Sequence, residues 1–261
     1  MRPSSLVSLA VSLLATARSA AATRTFRVKN NCRYQIWPAI FTSAGTAPEH
    51  ATGWRAKPGS SVSFKVAEDW NGRIWGRTGC DFSTGSKLPS TCLTGGCNGG
   101  LECARSGGTG VSPASLAEFN LNDANDWYDV SLVDGFNLQM SITNNKGCKS
   151  PTCGVDLNPK CPAELSVHNP KGKTVGCLTA CGANLDGNPA NSQNCCSGDY
   201  STPDKCPASG VQYNSFFKKY CKDAYSFAYD ESSGSALWTC KHSLKADYTV
   251  TFCVCHSLAS R

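Results

Sequence analysis

Between Thr25 and Thr143 apolar and polar residues alternate in short runs: Phe26/Val28, Tyr34/Ile36, Val62/Phe64/Val66, Ile74 beside Trp75, Phe119/Leu121, and Asp129 to Val133. A period of two puts one set of side chains on each face of an extended chain, so each run predicts a β-strand. Turn signals separate the runs at Pro58-Gly59, Asn71-Gly72 and Asp134-Gly135, which predicts a β-sandwich of two antiparallel sheets. The pattern changes at Asn144-Asn145-Lys146-Gly147, beyond which loops, cysteines and prolines dominate and strand periodicity fades until Tyr248-Thr249-Val250-Thr251-Phe252. Within that second region Tyr213, Phe216, Phe217 and Tyr220 fall at i, i+3, i+4 and i+7, the spacing of a buried helical face. The last strand returns to the sandwich and pins the two ends together. The expected organisation is a sandwich from residues 23–147 and 241–261, and a loop-rich lobe over 148–240 with a helix near 213–221.

Residues 1–22 stand apart. A short basic start at Met1-Arg2 precedes an apolar run from Leu6 to Ala17 that is too short to span a bilayer, and Ala20-Ala21-Ala22 supplies small residues for cleavage. The segment predicts a secretory signal with the mature chain starting at Thr23. Losing Arg2 and Arg18 lowers the formal charge from +6 by two, to +4. The remaining basic residues are scattered, with no Lys/Arg stripe interleaved with aromatics, so nucleic acid is not an expected partner. With 40% hydrophobic and 17% charged residues the chain reads as globular rather than disordered. No Asn-x-Ser/Thr acceptor occurs, so ordinary N-glycosylation is not expected.

All 17 cysteines lie between Cys32 and Cys255, and a secreted route leads them to an oxidising compartment: eight bridges and one odd thiol. Zinc is the alternative for Cys148-x4-Cys153, Cys177-x3-Cys181 and Cys253-x-Cys255, but secretion and only four histidines argue against it. Adjacent Cys195 and Cys196 should reach different partners, because a bridge between neighbours strains the peptide joining them. Each bridge contributes about 2–4 kcal/mol, mainly by restricting the unfolded chain. They substitute for a core in Gly- and Asn-rich stretches such as 182–199.

The runs Arg73-Ile74-Trp75-Gly76-Arg77-Thr78-Gly79-Cys80, Ser115-Leu116-Ala117-Glu118-Phe119, Val133-Asp134-Gly135-Phe136-Asn137, Asn194-Cys195-Cys196-Ser197-Gly198, Phe216-Phe217-Lys218-Lys219 and Asp223-Ala224-Tyr225-Ser226-Phe227 resemble the thaumatin-like proteins, pathogenesis-related family five. The resemblance covers Phe26 to Cys253, with sixteen cysteines in the family's order. It implies a mainly β fold: a flattened antiparallel β-sandwich, a loop-rich disulfide-stapled lobe carrying a short helix, a small disulfide lobe at 177–206, and an acidic cleft between the first two. It also implies the pairs Cys32 with Cys253, Cys80 with Cys92, Cys97 with Cys103, Cys148 with Cys240, Cys153 with Cys221, Cys161 with Cys177, Cys181 with Cys195, and Cys196 with Cys206. Cys255 is left over. Departures from the family are Thr94-Gly95-Gly96-Cys97 in place of Thr-Gly-Asp-Cys, Ser112-Pro113 in place of a proline pair, and a Val254-Cys255 tail. Gly96 is expected to alter only a turn.

The family's cleft residues map onto Arg73, Glu118, Asp129, Asp134 and the Asp230-Glu231 pair, either of which can face the cleft. Read from the residues alone, Glu118 shares a strand face with Leu116 and Asn120 while Phe119 and Leu121 take the other. Asp129 and Asp134 have opposite parity, though the Asp134-Gly135 turn can swing the second carboxylate back. Paired carboxyls are what glycoside hydrolysis needs, one protonated for the leaving oxygen and one ionised as base or nucleophile. Glu118 is the expected donor, held protonated by the cluster, and Asp134 the base, with Asp129 and Arg73 setting the field. The plainer alternative makes Asp134 a turn residue, Asp129 and Arg73 a salt bridge, and Glu118 a solvated strand residue.

Trp127 and Tyr128, beside Asp129, are expected to stack on sugar faces, while Trp75 is expected in the core or sheet. His50, His168, His242 and His256 fall in no metal or triad spacing and read as surface residues. No cofactor or metal is expected. The functions in competition are an endo-β-1,3-glucanase, a non-catalytic β-glucan-binding defence or wall protein, and an inhibitor of foreign hydrolases or membrane-permeabilising protein. Glucan recognition ranks first because an acidic cleft beside aromatics serves the first two; membrane action ranks last because no amphipathic basic-faced stretch occurs. The expected form is a secreted monomer, antifungal or wall-remodelling, acting on β-1,3-glucan or another wall polysaccharide.

Overall fold

A computed structural model describes residues 23–122 and 124–254. The expected signal segment, His256 and Cys255 lie outside them. The strands are β1 (Thr23–Asn30), β2 (Trp37–Ala44), β3 (Ser61–Ala67), β4 (Asn71–Arg77), β5 (Leu116–Leu121), β6 (Asn125–Ser131), β7 (Met140–Asn144), β8 (Thr152–Cys153), β9 (Ser166–His168), β10 (Thr174–Cys177), β11 (Ala224–Tyr225), β12 (Trp238–Lys241) and β13 (Tyr248–Phe252). The helix α1 (Asn214–Tyr220) lies within the expected span and buries Phe217, with Phe216 and Tyr220 half-buried beside it.

One sheet runs β3-β1-β13-β7-β8 and the other β11-β6-β5-β4-β2, with β12 also on β6; β9 and β10 form a separate hairpin. The inner faces bring Phe26, Trp70, Phe119, Tyr128 and Tyr248 into one aromatic cluster, with Phe26 and Phe119 centroids 4.7 Å apart. Burying a ring of this size contributes roughly 1.5–3 kcal/mol, so the cluster supplies much of what holds the sheets face to face. Among the described residues no helix is long and apolar enough to cross a membrane.

The structure corrects four details. The sandwich is not wholly antiparallel: β1 runs parallel to β13, and β6 parallel to β11. Asn71-Gly72 is not a turn but opens β4, the turn falling at Glu68-Asp69. A Cβ at Gly72 would sit 2.3 Å from the Phe41 carbonyl and 2.5 Å from Trp70, so the glycine answers to crowding. The strand expected at Tyr34/Ile36 begins only at Trp37; Ile36 makes an isolated bridge to Ala56. Finally, β8, β11 and β12 come from the loop-rich stretch, in runs mostly too short to show a period.

Eight disulfides join Cys32 to Cys253, Cys80 to Cys92, Cys97 to Cys103, Cys148 to Cys240, Cys153 to Cys221, Cys161 to Cys177, Cys181 to Cys195 and Cys196 to Cys206. Gly96 does more than alter a turn: its Cβ would lie 1.9 Å from the Pro89 carbonyl oxygen, so the short turn at Pro89–Thr91 rests directly on it. Two buried arginines hold loops together. Arg77 donates to the carbonyls of Trp37, Pro38, Gly100 and Leu101 at 2.7–3.3 Å, and burial pushes its guanidinium down to about 10.

Arg24, on the inner face of β1, donates to Asp126 at 3.3 Å and lies 3.1 Å from His242 Nδ1. His242 is therefore buried, not a surface residue, and its Nδ1 is 2.9 Å from Asp126. These side chains satisfy one another, which is the condition for keeping charge inside a core.

Candidate functional site

The strand register builds the site. On β4, β5 and β6, Arg73 lies opposite Glu118 and Glu118 opposite Asp129, so the three form one row across the sheet. Two residues along each strand, Asn71 lies opposite Asn120 and Asn120 opposite Trp127, a second row about 7 Å from the first. Both rows face away from the core because the intervening Phe119 and Tyr128 point into it. Together they line an open cleft of about 660 Å³, lined as well by Glu231, Leu237 and Tyr225, the last on β11 beside β6. That volume suits a small ligand or a few sugar units.

Arg73 does not pair with Asp129. Its Nη2 is 3.1 Å from Glu118 Oε1 and its Nη1 is 3.7 Å from Asp134 Oδ2. Asp134 arrives from the turn after β6, closed by a 2.9 Å bond from the Gly135 N–H to the Leu132 carbonyl. Gly135 has φ +87°, and a Cβ there would meet the Cys177 carbonyl at 2.6 Å, so glycine is required for the swing that brings Asp134 back.

Asp129 is only 8% exposed, and its Oδ1 is buried without a hydrogen-bond partner. Burial first, then the charges of Glu118 and Glu231, push its carboxyl well up, against the opposing pull of Arg73. Glu118 keeps 31% of its side chain open to the cleft, yet burial raises its carboxyl too; Arg73 opposes the rise, Asp134 adds to it, and a hydrogen bond with Ser131 lowers it. Asp134 is raised by burial and lowered by Arg73. Two carboxyls thus share one guanidinium while a third, buried and unpartnered, favours its neutral form.

Of the Asp230-Glu231 pair, Glu231 lines the cleft. Asp230 is buried behind it, accepting bonds from Lys218 Nζ at 2.8 Å and from the Ser226 N–H and hydroxyl at 3.0 Å. Trp127 borders the cleft with 37% of its surface exposed. Tyr128 does not: it is fully buried and donates to the Lys149 carbonyl at 2.6 Å. The error is one of parity, since Trp127 and Asp129 share a strand face and Tyr128 has the other. Trp75 is buried, its Nε1 donating to the Gly95 carbonyl at 2.7 Å.

The sequence reading passed over Asn71, Asn120 and Tyr225. The first two carried a signal, because Asn71 has the parity of Arg73 and Asn120 that of Glu118. Tyr225 carried none, since β11 is two residues long. Among the described residues no group of three His, Cys, Asp or Glu side chains is placed to hold a metal ion.

Fold and site together define a disulfide-stapled β-sandwich protein with an acidic, aromatic-edged cleft. The model of the Thaumatin family matches residues 30–254. A pathogenesis-related thaumatin-like protein 3.5 from Cryptomeria japonica is 41% identical over 251 residues, covering 95% of this chain and 97% of the relative. A protein named glucan endo-1,3-beta-glucosidase from Prunus avium is 38% identical over 253 residues, covering 95% and 97%. The chain belongs to the thaumatin family. A laminaripentaose-producing β-1,3-glucanase, solved in complex with laminaritetraose, superposes with a TM-score of 0.59 over 89% of this chain and 99% of that one; at 14% identity it shares the fold.

Proposed function

We propose that this is a secreted, monomeric defence or cell-wall protein whose cleft binds a β-1,3-glucan chain. The observation that carries the reading is the amide and indole row, Asn71, Asn120 and Trp127, laid beside the ionic row Arg73, Glu118 and Asp129. A neutral sugar needs donors, acceptors and a flat apolar surface at once. Ser43 donates its hydroxyl to Asn71 Oδ1 at 2.6 Å, which leaves the Asn71 amide N–H groups as donors for a ligand. The indole of Trp127 offers the stacking face. The Prunus avium relative's name supports the same substrate class. The test is incubation of purified protein with soluble β-1,3-glucan, following retention on the polymer and release of reducing ends. Retention is expected, and its absence overturns the reading.

Hydrolysis is the second reading, favoured by the placement of Glu118 and Asp134 on opposite arms of Arg73. In it Glu118, raised by burial, gives its proton to the glycosidic oxygen as the bond to the anomeric carbon breaks. Asp134, 39% exposed and raised by burial against the opposing pull of Arg73, takes in its ionised form a proton from the water that attacks that carbon. Asp129, pushed by burial toward its neutral form, adds less negative charge beside Glu118 than an exposed carboxylate would.

A further inference from the structure

A second groove, of about 460 Å³, shares no lining residue with the acidic cleft. Disulfides anchor its walls. Tyr34 follows Cys32, which is bonded to Cys253; Gly79 and Leu93 flank the Cys80–Cys92 bridge; Asp156 and Asn158 precede Cys161, and Thr174 and Val175 precede its partner Cys177. A groove fixed at so many points is formed before any ligand arrives, which lowers the ordering cost of binding.

Its polar groups are only partly used. Asn158 donates through Nδ2 to the Asn137 carbonyl at 3.1 Å, while its Oδ1 is buried without a donor. Asp156 uses Oδ1 to accept the Asn158 N–H at 3.1 Å. Asn169 uses its Oδ1 on the N–H groups of Lys171 and Lys173, both at 3.0 Å, so its own amide N–H donors have no partner among the described residues. Lys173 and Asp156 are both exposed at the groove and balance each other in charge. Tyr34 is 52% exposed and Leu93 39% exposed, so part of the rim is apolar and the Tyr34 ring offers a flat face. The Tyr34 hydroxyl is pushed up by burial and by Asp156, and stays a neutral donor.

The mixture selects a ligand class. A phosphate or sulfate would meet the Asp156 carboxylate, and an apolar ligand would leave Asp156, Asn169 and Lys173 desolvated without partners. A neutral chain of hydroxyls with C–H faces answers the donors, the acceptors and the Tyr34 ring together. We propose that this groove is a second carbohydrate site, binding a neutral oligosaccharide independently of the acidic cleft. With two sites on one rigid frame, the protein holds a wall polysaccharide more tightly than either site alone.

The test is an NMR titration of the ¹⁵N-labelled full-length mature protein with laminarihexaose, cellohexaose and xylohexaose, each to millimolar concentration. The backbone amides of Gly79, Leu93, Thr174 and Val175 report on the groove, and those of Glu118 and Trp127 on the cleft. Saturable shifts of the groove amides with at least one hexasaccharide are expected, both in the parent and in Trp127→Ala. Tyr34→Ala should weaken that titration by about 5- to 100-fold, as loss of a stacking ring does elsewhere. Lys173→Ala, an exposed change that leaves the fold alone, should weaken it as well. Groove amides that respond to none of the three sugars, or that titrate unchanged in both variants, overturn the proposal. Failure of the cleft reading looks different: the Glu118 and Trp127 amides stay still while the groove titrates.

Discussion

Trp127 and Tyr128 are bonded neighbours with separate tasks, because strand alternation sends one ring to the cleft and the other to the aromatic core. Trp127→Ala should therefore weaken β-glucan retention by about 1–3 kcal/mol with the fold intact. Tyr128→Phe should leave retention unchanged and lower stability by about 0.5–1.5 kcal/mol, the worth of its bond to the Lys149 carbonyl. Paired retention assays and denaturant melts check both; the opposite pattern would reverse the two assignments. Glu118→Gln keeps the shape and removes the proton. If the parent releases reducing ends, the variant should lose about 10²–10⁴-fold of that rate while still binding glucan. Parent-like cleavage removes Glu118 from the mechanism. At this scale much of the site was legible: parity alone gives Glu118 outward and Phe119 inward. The same rule, applied to β6, separates Trp127 from Tyr128, and applied to β1 it puts Arg24 inside with Phe26 and Val28. There the charge concealed a position that the pattern already marked as buried.

The register of β4, β5 and β6 makes Glu118 and Asp129 direct cross-strand neighbours, where like charges repel. The structure answers by burying Asp129 away from Arg73, which favours its protonated form. The native state then binds protons more readily than the unfolded chain. The contribution of Asp129 is therefore most favourable below the unfolded value of 3.8 and declines as pH rises through the higher folded value. Glu118 and Asp134, also raised, act with the same sign. Asp129→Asn removes the buried acid, so denaturant midpoints measured from acid to neutral pH should fall less steeply than in the parent. An unchanged slope contradicts a raised Asp129 carboxyl in the folded state. Register was not legible in the sequence, because it depends on which strands pair and how the loops between them close. The 38-residue interval from β4 to β5 gives no hint of it. The pairing of Arg73 with Glu118 and Asp134, rather than with Asp129, is a consequence of that geometry.

Across the whole molecule, covalent links take over where the chain offers few apolar residues. The sixteen bridged cysteines leave Cys255 as the seventeenth, so alkylation of the unreduced protein followed by mass mapping should label Cys255 and find Cys32 joined to Cys253. Cys32 found on Cys255 instead would displace that pairing. The count of bridges was readable from composition, and the separate partners of Cys195 and Cys196 from ring strain. The rest of the pairing came from family resemblance, because many connectivities satisfy the same count. The mixed strand directions were hidden as well, since β11 is two residues long and β13 reaches β1 only through the folded whole. The most direct test of the central claim, that the cleft holds a β-1,3-glucan chain, is calorimetric titration of laminarihexaose into the parent, Trp127→Ala and Arg73→Ala proteins. Saturable binding in the parent, weakened in both variants, is the predicted result; no binding in the parent, or equal binding in all three, contradicts it.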